Sequence, residues 1–342
     1  MRSPKYLSPT SIGVWLNDRE EFYLQYLADI RPPKIPQTQP MSIGSSFDAR
    51  VKSFLYHALY EYYGPNDEFS FDTIFEAQVE PHNRDWALPH SKYVFDCYKK
   101  SGALADLLLQ LQNAVKDARF EFTVEARVQH EINLAGVPLL GKPDLHYISA
   151  MENHVTHDWK VNGYCSKRGV SPTPGYVNLR DGYGPGDAAP SRTANRPHKD
   201  AQLVRVGDID INVSSWLEDI NEQWARQLCI YGWVLGEPIG SNFIVGIEQI
   251  VSRPSDFDDC PRLVRVASFR NRISPDFQHK LYKLITEIWR RLEEGPQAIF
   301  DDMTPAESCE RCHTLDQYHK AYEGDDPKDK WFNEVTREHK GW

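Results

Sequence analysis

The sequence contains no long apolar run. Nothing in its 342 residues approaches the ~20 consecutive apolar residues that a membrane-spanning helix needs. The first residues, from Met1 to Tyr6, also lead into no apolar stretch of the signal-peptide kind. We therefore expect a soluble, cytoplasmic protein without membrane partners.

The chain has few cysteines and fewer basic than acidic residues. The six cysteines form no regular framework, which excludes a disulfide scaffold and fits a reducing compartment. Lys and Arg number 39 against 49 Asp and Glu, a net charge of −10, and this balance argues against a protein that coats a nucleic acid. It does not exclude an enzyme with a metal site, because such a site needs clustered carboxylates. No helicase motif is present, so ATP-driven unwinding would require another chain.

Aromatic residues, by contrast, are plentiful. The chain has 9 Trp, 17 Tyr and 15 Phe, and 40% of its residues are hydrophobic. A chain of this length and composition can bury a sizeable core. We expect a globular protein.

Two short motifs near the middle of the chain carry the strongest functional signal. A Gly-Lys-Pro-Asp sequence ending at Asp144 is followed by Asp158-Trp159-Lys160. Side chains alternate along a strand, so Asp158 and Lys160 should share one face while Trp159 packs on the other. If a turn brings Asp144 alongside, Asp144 and Asp158 offer oxygen ligands to Mg²⁺ or Mn²⁺. Lys160 would then orient or deprotonate an attacking water.

A segment upstream offers a third carboxylate. Apolar and polar residues alternate from Phe120 to Val128, which predicts a half-buried strand. If this strand pairs with the strand of Asp158, Glu125 faces the same cleft. Otherwise Glu125 is an ordinary solvated side chain.

A segment downstream offers substrate contacts. Residues Trp216 to Val234 have helical spacing, and Gln227 and Tyr231 lie four residues apart on one helix face. An amide and a phenol there can contact a phosphate or hold Lys160. The alternative is an amphipathic face with a tyrosine at its edge.

This ordered set of residues resembles the PD-(D/E)XK nuclease superfamily, specifically its RecB-like exonuclease branch. The matching positions are Asp144, Asp158-x-Lys160 and Gln227-x-x-x-Tyr231, preceded by Ser8–Ser11, similar to the opening helix of the family, and by Gly44–Asp48, similar to its Gly-x-x-x-His element. The resemblance implies an α/β fold with a restriction-endonuclease-like core, in which helices flank a central mixed β-sheet and the N-terminal region is helical. It also implies a contact between the bound metal ion and the backbone carbonyl of Trp159.

The chain departs from the family pattern at two places. Asp48 stands where many relatives place a metal-binding His, and its carboxylate keeps an oxygen ligand at that position. We therefore expect Asp48, Asp144 and Asp158 to hold the metal. The alternative is that Asp48 only complements the dipole of its helix.

Several relatives hold an iron–sulfur cluster with four cysteines. Here Asp18 stands near the first of these positions and only Cys309-x-x-Cys312 lies in the tail, which argues against a cluster. Zinc at Cys309 and Cys312 with His313 or His319 stays open.

The pattern along the chain predicts one nuclease domain over residues 1–300 and a C-terminal tail over 301–342. Within the domain, residues 166–197 are rich in Gly, Pro, Ser, Asp and Arg and predict a flexible insertion with no packed element, either a flap over the substrate or an excursion without a role. The periodicity predicts helices over Thr10–Leu27, Ser42–Tyr62, Tyr93–Lys116, Trp216–Val234 and Pro275–Leu292, and strands over Asn242–Ile250 and Leu263–Phe269.

The function that the resemblance implies is a divalent-metal-dependent DNA exonuclease that hydrolyses phosphodiester bonds. It would act in DNA recombination or repair, or in the processing of phage or mobile-element DNA, with DNA and a helicase, recombinase or single-strand-annealing protein as partners. Two alternatives stay open. One is a catalytically degenerate protein of the same fold that binds nucleic acid or such a partner without cutting. The other is a metal-dependent hydrolase of small phosphoesters.

Overall fold

The protein is described by a computed structural model over most of its length. The described residues are 3–29, 36–61, 68–114, 116–120, 130–164, 169–180, 196–197, 201–253 and 262–300. Glu125 and the tail with Cys309 and Cys312 lie outside this part of the chain. None of the helices in these ranges is long and apolar enough to cross a membrane.

The described chain begins with a run of helices, which is followed by a run of strands. The helices are α1 (Pro9–Asn17), α2 (Arg19–Phe22), a π-helix (Tyr23–Leu27), α3 (Gln39–Tyr60), α4 (Phe71–Gln78), α5 (Pro81–Lys100), α6 (Ala103–Gln112), α7 (Leu217–Ile220), α8 (Glu222–Val234), α9 (Pro275–Glu294) and α10 (Pro296–Phe300). The strands are β1 (Lys116–Phe120), β2 (His130–Leu134), β3 (Val137–Gly141), β4 (Leu145–Ile148), β5 (His154–Asn162), β6 (Gly175–Leu179), β7 (Arg196–Pro197), β8 (Leu203–Val206), β9 (Ile209–Asn212), β10 (Ile244–Arg253) and β11 (Leu263–Asn271).

A central mixed sheet organises these elements. Its seven strands lie in the order β1-β4-β5-β10-β11-β6-β7, and the pairs β2-β3 and β8-β9 form separate hairpins. Strands β5 and β10 are parallel, with Asp158 opposite Ile247, and the other neighbours in the sheet are antiparallel. A parallel pair needs a long crossover, and the chain between β5 and β10 contains α8. The expectation of an α/β fold with a mixed central sheet flanked by helices is therefore confirmed.

The two faces of the sheet pack against different helices. Val245 and Ile247 of β10 belong to a hydrophobic cluster that includes residues of α8 and α9. Their neighbours Ile244 and Ile250 belong to a second cluster with residues of α3, α5 and α6. Because successive side chains of a strand point to opposite faces, the central strands are buried on both sides.

The face toward α5 and α6 carries a buried ionic network. Arg270 Nη1 lies 3.3 Å from Glu248 Oε1, and the hydroxyl of Ser268 donates to the same oxygen at 2.6 Å. Burial raises the pKa of Glu248 to about 7 against the opposing effect of Arg270. Burial, with a further contribution from Arg270, holds the pKa of the neighbouring His157 well below its usual range, so His157 is neutral. Removing one partner of such a pair typically costs about 3–5 kcal/mol.

Three predicted helices prove to be interrupted. The helix predicted over Thr10–Leu27 breaks at Asp18, whose side chain accepts from the Glu21 N–H at 3.0 Å and caps α2. Trp216–Val234 breaks in the same way at Asn221, which caps α8. Short Asp and Asn side chains satisfy the free N–H groups at a helix start, so they favour a new helix over a continued one.

The helix predicted over Tyr93–Lys116 is also wrong as a single element. It corresponds to the end of α5, all of α6 and the first residue of β1. The break lies at Gly102, whose φ of 89° is readily adopted by glycine. The predictions for α3, α9, β10 and β11 match the observed elements to within a few residues.

The segment 166–197 is not devoid of packed structure. Strand β6 lies within it and pairs antiparallel with β11, with Val177 opposite Val266. The prediction of no packed element is therefore wrong for residues Gly175–Leu179. The local composition did not indicate this strand, because β6 is stabilised by pairing with β11, which lies far along the chain.

Strand β3 packs closely against α8 at Gly141. A Cβ atom added at Gly141 would lie 2.5 Å from Val234 Cγ2 and 3.2 Å from Tyr231 Cδ1. Because this overlap forces neighbours to move, we expect Gly141→Ala to lower the free energy of unfolding by about 1–3 kcal/mol in urea denaturation. Gly13 in α1 is the matched control, since a Cβ atom added there would meet no heavy atom within 4 Å. Gly13→Ala should be neutral or stabilising by up to ~1 kcal/mol. Equal stability of the two variants would contradict the close contact.

Candidate active site

Antiparallel pairing brings the two central motifs together. Asp144 immediately precedes β4, and β4 pairs with β5 so that Leu145 lies opposite His157. As a result, Asp144 Oδ2 accepts a hydrogen bond from the backbone N–H of Trp159 at 3.2 Å. The carboxylate of Asp144 therefore lies beside the Asp158-Trp159-Lys160 motif.

Asp158 and Lys160 point together toward α8. Lys160 Nζ lies 2.5 Å from Asp158 Oδ2. Gln227 of α8 holds both residues: its Oε1 accepts from Lys160 Nζ at 2.7 Å, and its Nε2 donates to Asp158 Oδ1 at 3.2 Å. The same Nε2 group donates to the hydroxyl of Tyr231 at 2.9 Å. Of the two roles left open for Gln227, the structure therefore shows the contact with Lys160.

Asp48 enters the site from α3 together with a residue that the sequence reasoning missed. Lys52, one turn further along α3, places Nζ 3.0 Å from Asp48 Oδ1 and 3.6 Å from Asp144 Oδ1. Gln78 at the end of α4 donates to Asp48 Oδ2 at 2.9 Å. The spacing of Asp48 and Lys52, four residues apart on a helix, is the signal that could have identified the pair. No local signal identifies Gln78.

Glu125 cannot be placed, since it lies outside the described residues. Of its predicted strand, Phe120–Val128, the structure describes only Phe120, which ends β1 and pairs with Leu145 of β4. The role of Glu125 as a third carboxylate stays a prediction.

Burial and charge shift the protonation equilibria of the site. Burial, reinforced by the neighbouring charge of Asp144, raises the pKa of Asp158 to about 7 although Lys160 opposes this shift. Burial also raises the pKa of Asp48 against the attraction of Lys52. For Lys52, burial alone would lower the pKa, but the charges of Asp48 and Asp144 outweigh it and raise the pKa. Burial and the two nearby carboxylates Asp158 and Asp144 raise the pKa of Tyr231, so its hydroxyl stays protonated.

A cleft of about 330 Å³ opens onto the side of this group formed by Asp48, Lys52 and Asp144. Its lining residues are Gly44, Ser45, Asp48, Lys52, Gln78, Lys142 and Asp144. The side chain of Asp144 is 27% exposed, against 17% for Asp48 and 3% for Asp158, so solvent reaches Asp144 most readily and Asp158 hardly at all. A larger cavity of about 840 Å³ lies elsewhere, bordered by residues of α6, β6, β9 and β11, and contains none of the motif residues.

The donor set suits one hard divalent ion. Among the described residues, no three His, Cys, Asp or Glu side chains are grouped so as to hold a metal ion. Asp144 and Asp158 nevertheless lie side by side, one partly exposed and one buried, and a cation would offset their mutual repulsion. Mg²⁺ is commonly bound by one or two carboxylates, with water and substrate phosphates completing its shell. Asp48 is engaged by Lys52 and Gln78, as Asp158 is by Lys160 and Gln227.

Comparison with known proteins adds little. No protein-family model matches the chain, and no curated protein matches it. A solved structure titled "Crystal structure of SSO0001" is similar over 86% of this chain and 96% of that chain, at 13% sequence identity and a TM-score of 0.26. A likeness at this level supports no conclusion about function.

The raised pKa of Asp158 predicts a pH-dependent stability. Its folded pKa of about 7 exceeds the ~3.9 of an unfolded aspartate, so its stabilising contribution is complete below about pH 4 and is lost as pH rises through 7. In the presence of EDTA, the unfolding free energy of the wild type should therefore fall between pH 5 and pH 7.5. We expect this fall to be smaller in Asp158→Asn, by on the order of 2–3 kcal/mol. Urea denaturation at both pH values measures this. Asp210→Asn, at a carboxylate that is 56% exposed, should leave the fall unchanged. An unchanged fall in Asp158→Asn would contradict the pKa shift.

Proposed function

We propose that this chain is a divalent-metal-dependent DNA exonuclease with a PD-(D/E)XK core of the RecB-like type. One observation carries the proposal: Asp144, Asp158 and Lys160 converge although Asp144 comes from a different motif, and Gln227 binds the last two directly. The mixed sheet with helices on both faces is consistent with the restriction-endonuclease-like core that the resemblance implies. The substrate class, DNA, comes from that resemblance.

Asp144 and Asp158 would hold the metal ion. The ion, when bound, offsets negative charge on the phosphate and makes water a stronger nucleophile at neutral pH. Asp144 presents a partly exposed carboxylate to the cleft, while Asp158 is buried behind it. A buried carboxylate with few competing waters binds a hard cation at the cost of losing its proton. Binding should therefore release a proton wherever Asp158 is protonated.

Lys160 is the residue that would act on the attacking water and the phosphate. Its ammonium group carries three donors, of which one is donated to Gln227 Oε1 at 2.7 Å, and it lies 2.5 Å from Asp158 Oδ2. A remaining N–H can donate to water or to a phosphate oxygen. Because Gln227 fixes the ammonium from the side of α8, the amine is oriented before substrate arrives, which lowers the cost of reaching the reactive geometry.

Tyr231 supports this arrangement indirectly. Its hydroxyl accepts from Gln227 Nε2, and its ring lies against β3 next to Gly141. We therefore assign Gln227 and Tyr231 as positioning residues rather than as groups that must touch DNA.

On the substrate side, Lys142 lines the cleft and supplies a positive charge that suits a phosphate backbone. The biological setting proposed is DNA recombination or repair, or phage or mobile-element DNA processing, with a helicase, recombinase or single-strand-annealing protein as partner.

A second candidate is a protein of the same fold that binds DNA without cutting it. The observation that favours it is the neutralisation of the carboxylates by the chain itself: Lys52 contacts Asp48 and Asp144, and Lys160 contacts Asp158. Such internal pairing can hold a carboxylate cluster together without any metal ion. The two candidates differ in whether Mn²⁺ binds and whether DNA is degraded.

Degradation of end-labelled linear DNA beside a closed circle tests the first candidate. With Mg²⁺ or Mn²⁺ we expect loss of the linear DNA only, and with EDTA no loss. Lys160→Ala should lower the rate by about 10²–10³-fold, because it removes a positive charge from the developing transition state. Lys92→Ala is the matched control, since Lys92 is an exposed lysine that pairs with Asp96 on the surface of α5.

Each outcome of this assay separates the candidates. Normal cleavage by Lys160→Ala would remove Lys160 from the proposed chemistry. If the folded wild type degrades no DNA with either metal but binds DNA in an anisotropy titration, the non-cutting protein is the correct assignment. Loss of the closed circle at the same rate as the linear DNA would show an endonuclease instead.

Gln227→Met separates positioning from binding. Methionine fills a similar volume but can neither accept from Lys160 nor donate to Asp158, so we expect kcat to fall by about 10–100-fold. The Kd for DNA should stay within about threefold, because no direct DNA contact is assigned to Gln227. Single-turnover cleavage and anisotropy measure the two quantities separately. A large rise in Kd with unchanged kcat would place Gln227 in substrate binding instead.

A further inference from the structure

Lys52 occupies an unusual place in the site. Its side chain is 2% exposed, and Nζ lies 3.0 Å from both carboxylate oxygens of Asp48 and 3.6 Å from Asp144 Oδ1. Gln78 donates to Asp48 from the other side at 2.9 Å. An ammonium group is therefore seated between two carboxylates that project from different parts of the chain.

This geometry limits where metal ions can bind. In two-metal sites, the ions lie about 3.5–4 Å apart and share a carboxylate. Asp144 is the carboxylate available for sharing, since Oδ1 faces Lys52 and Oδ2 accepts from the Trp159 N–H beside Asp158. A divalent ion between Asp48 and Asp144 would lie next to the ammonium of Lys52 and would be repelled by it. Between Asp144 and Asp158 the neighbouring ammonium group is that of Lys160, 2.5 Å from Asp158 Oδ2. Because Lys160 is 16% exposed, against 2% for Lys52, its ammonium has room to move away when an ion binds.

We propose that the ammonium group of Lys52 is a built-in cation that takes the place of a second divalent ion, so that the site binds a single Mg²⁺ or Mn²⁺ between Asp144 and Asp158. The inference rests on the proposed function, because it concerns the same metal site. It assigns Asp48 to Lys52 rather than to metal. Asp48 then keeps the ammonium in place, and Gln78 keeps Asp48 in place.

The inference predicts what happens when the ammonium is removed. Lys52→Met retains the length of the side chain but leaves Asp48 and Asp144 as an unpaired carboxylate pair, which is a new site for a divalent ion. Replacing Asp48 as well, in Asp48→Asn/Lys52→Met, removes one of the two carboxylates and should abolish that new site. The number of bound ions should therefore be one in the wild type, two in Lys52→Met and one in the double variant.

Titration with Mn²⁺ measures these numbers independently of DNA cleavage. The electron paramagnetic resonance signal of free Mn²⁺ gives the stoichiometry, and calorimetry gives the affinities. Two ions that share Asp144 would also couple magnetically and broaden the spectrum of bound Mn²⁺, an effect that a purely structural lysine would not produce. Lys92→Met is the matched control and should bind one ion, because Lys92 is an exposed lysine outside the cleft.

Thermal melting guards against loss of folding. Lys52→Met should melt at lower temperature than the wild type without metal, and Mn²⁺ should raise its melting temperature by more than it raises that of the wild type. If this variant is unfolded without metal, Mn²⁺ should restore folding. Failure of Mn²⁺ to stabilise it would overturn the inference.

The outcomes distinguish this inference from the proposed function. Two Mn²⁺ ions in the wild type together with DNA cleavage would overturn the role of Lys52 alone. A single ion in folded Lys52→Met would do the same. No bound Mn²⁺ in the wild type, with no cleavage, would overturn the proposed function and the inference together.

Discussion

The burial of β5 on both faces is the constraint on which the rest of the site depends. β4 and β10 flank this strand, and helices cover both sides of the sheet. Every side chain of its central part must therefore either pack or find a polar partner within the protein. His157 and Trp159 face the helices α5 and α6, while Asp158 and Lys160 face α8. The carboxylate of Asp158 is thus almost fully buried, at 3% exposure, and the neighbouring Lys160 is 16% exposed.

Charge balance follows from that burial. Among the described residues, three carboxylates, Asp48, Asp144 and Asp158, contact two ammonium groups, Lys52 and Lys160, so these five groups carry one net negative charge when all are ionised. A further lysine, Lys142, lines the same cleft. The pKa of Asp158, raised to about 7 by burial and by Asp144, expresses this imbalance as a tendency to keep a proton. A cation bound at Asp144 and Asp158 would offset the same negative charge without a proton on Asp158. The proposed metal ion and the proposed role of Lys52 both rest on this arrangement of charges.

The supporting structure keeps these groups in register. Gln227 can reach Lys160 and Asp158 because α8 lies close to β3 and β5, and the contact at Gly141 shows how little space separates them. On the opposite face, the pair of Glu248 and Arg270 links β10 to β11. A buried pair of this kind adds little net stability but penalises strand slippage, since a shifted register would leave a charge without its partner. On the other side of β10, the register of β5 places Asp158 opposite Ile247.

The sequence by itself determined the elements that local patterns encode. Hydrophobic periodicity located β10, β11 and α9, and the alternation within Asp158-Trp159-Lys160 correctly predicted which side chains share a face. It failed where a capping residue or a glycine interrupts a periodic stretch, as at Asp18, Asn221 and Gly102, and where β6 gains its stability from pairing with β11. Tertiary structure alone decided that Asp144 lies beside Trp159 and that Gln78 holds Asp48, because these contacts join segments whose separation no local pattern specifies. Tertiary structure also placed Lys52 between two carboxylates. Helical spacing in the sequence links Lys52 to Asp48 alone, and the packing of α3 against β5 brings Asp144 within reach of Lys52.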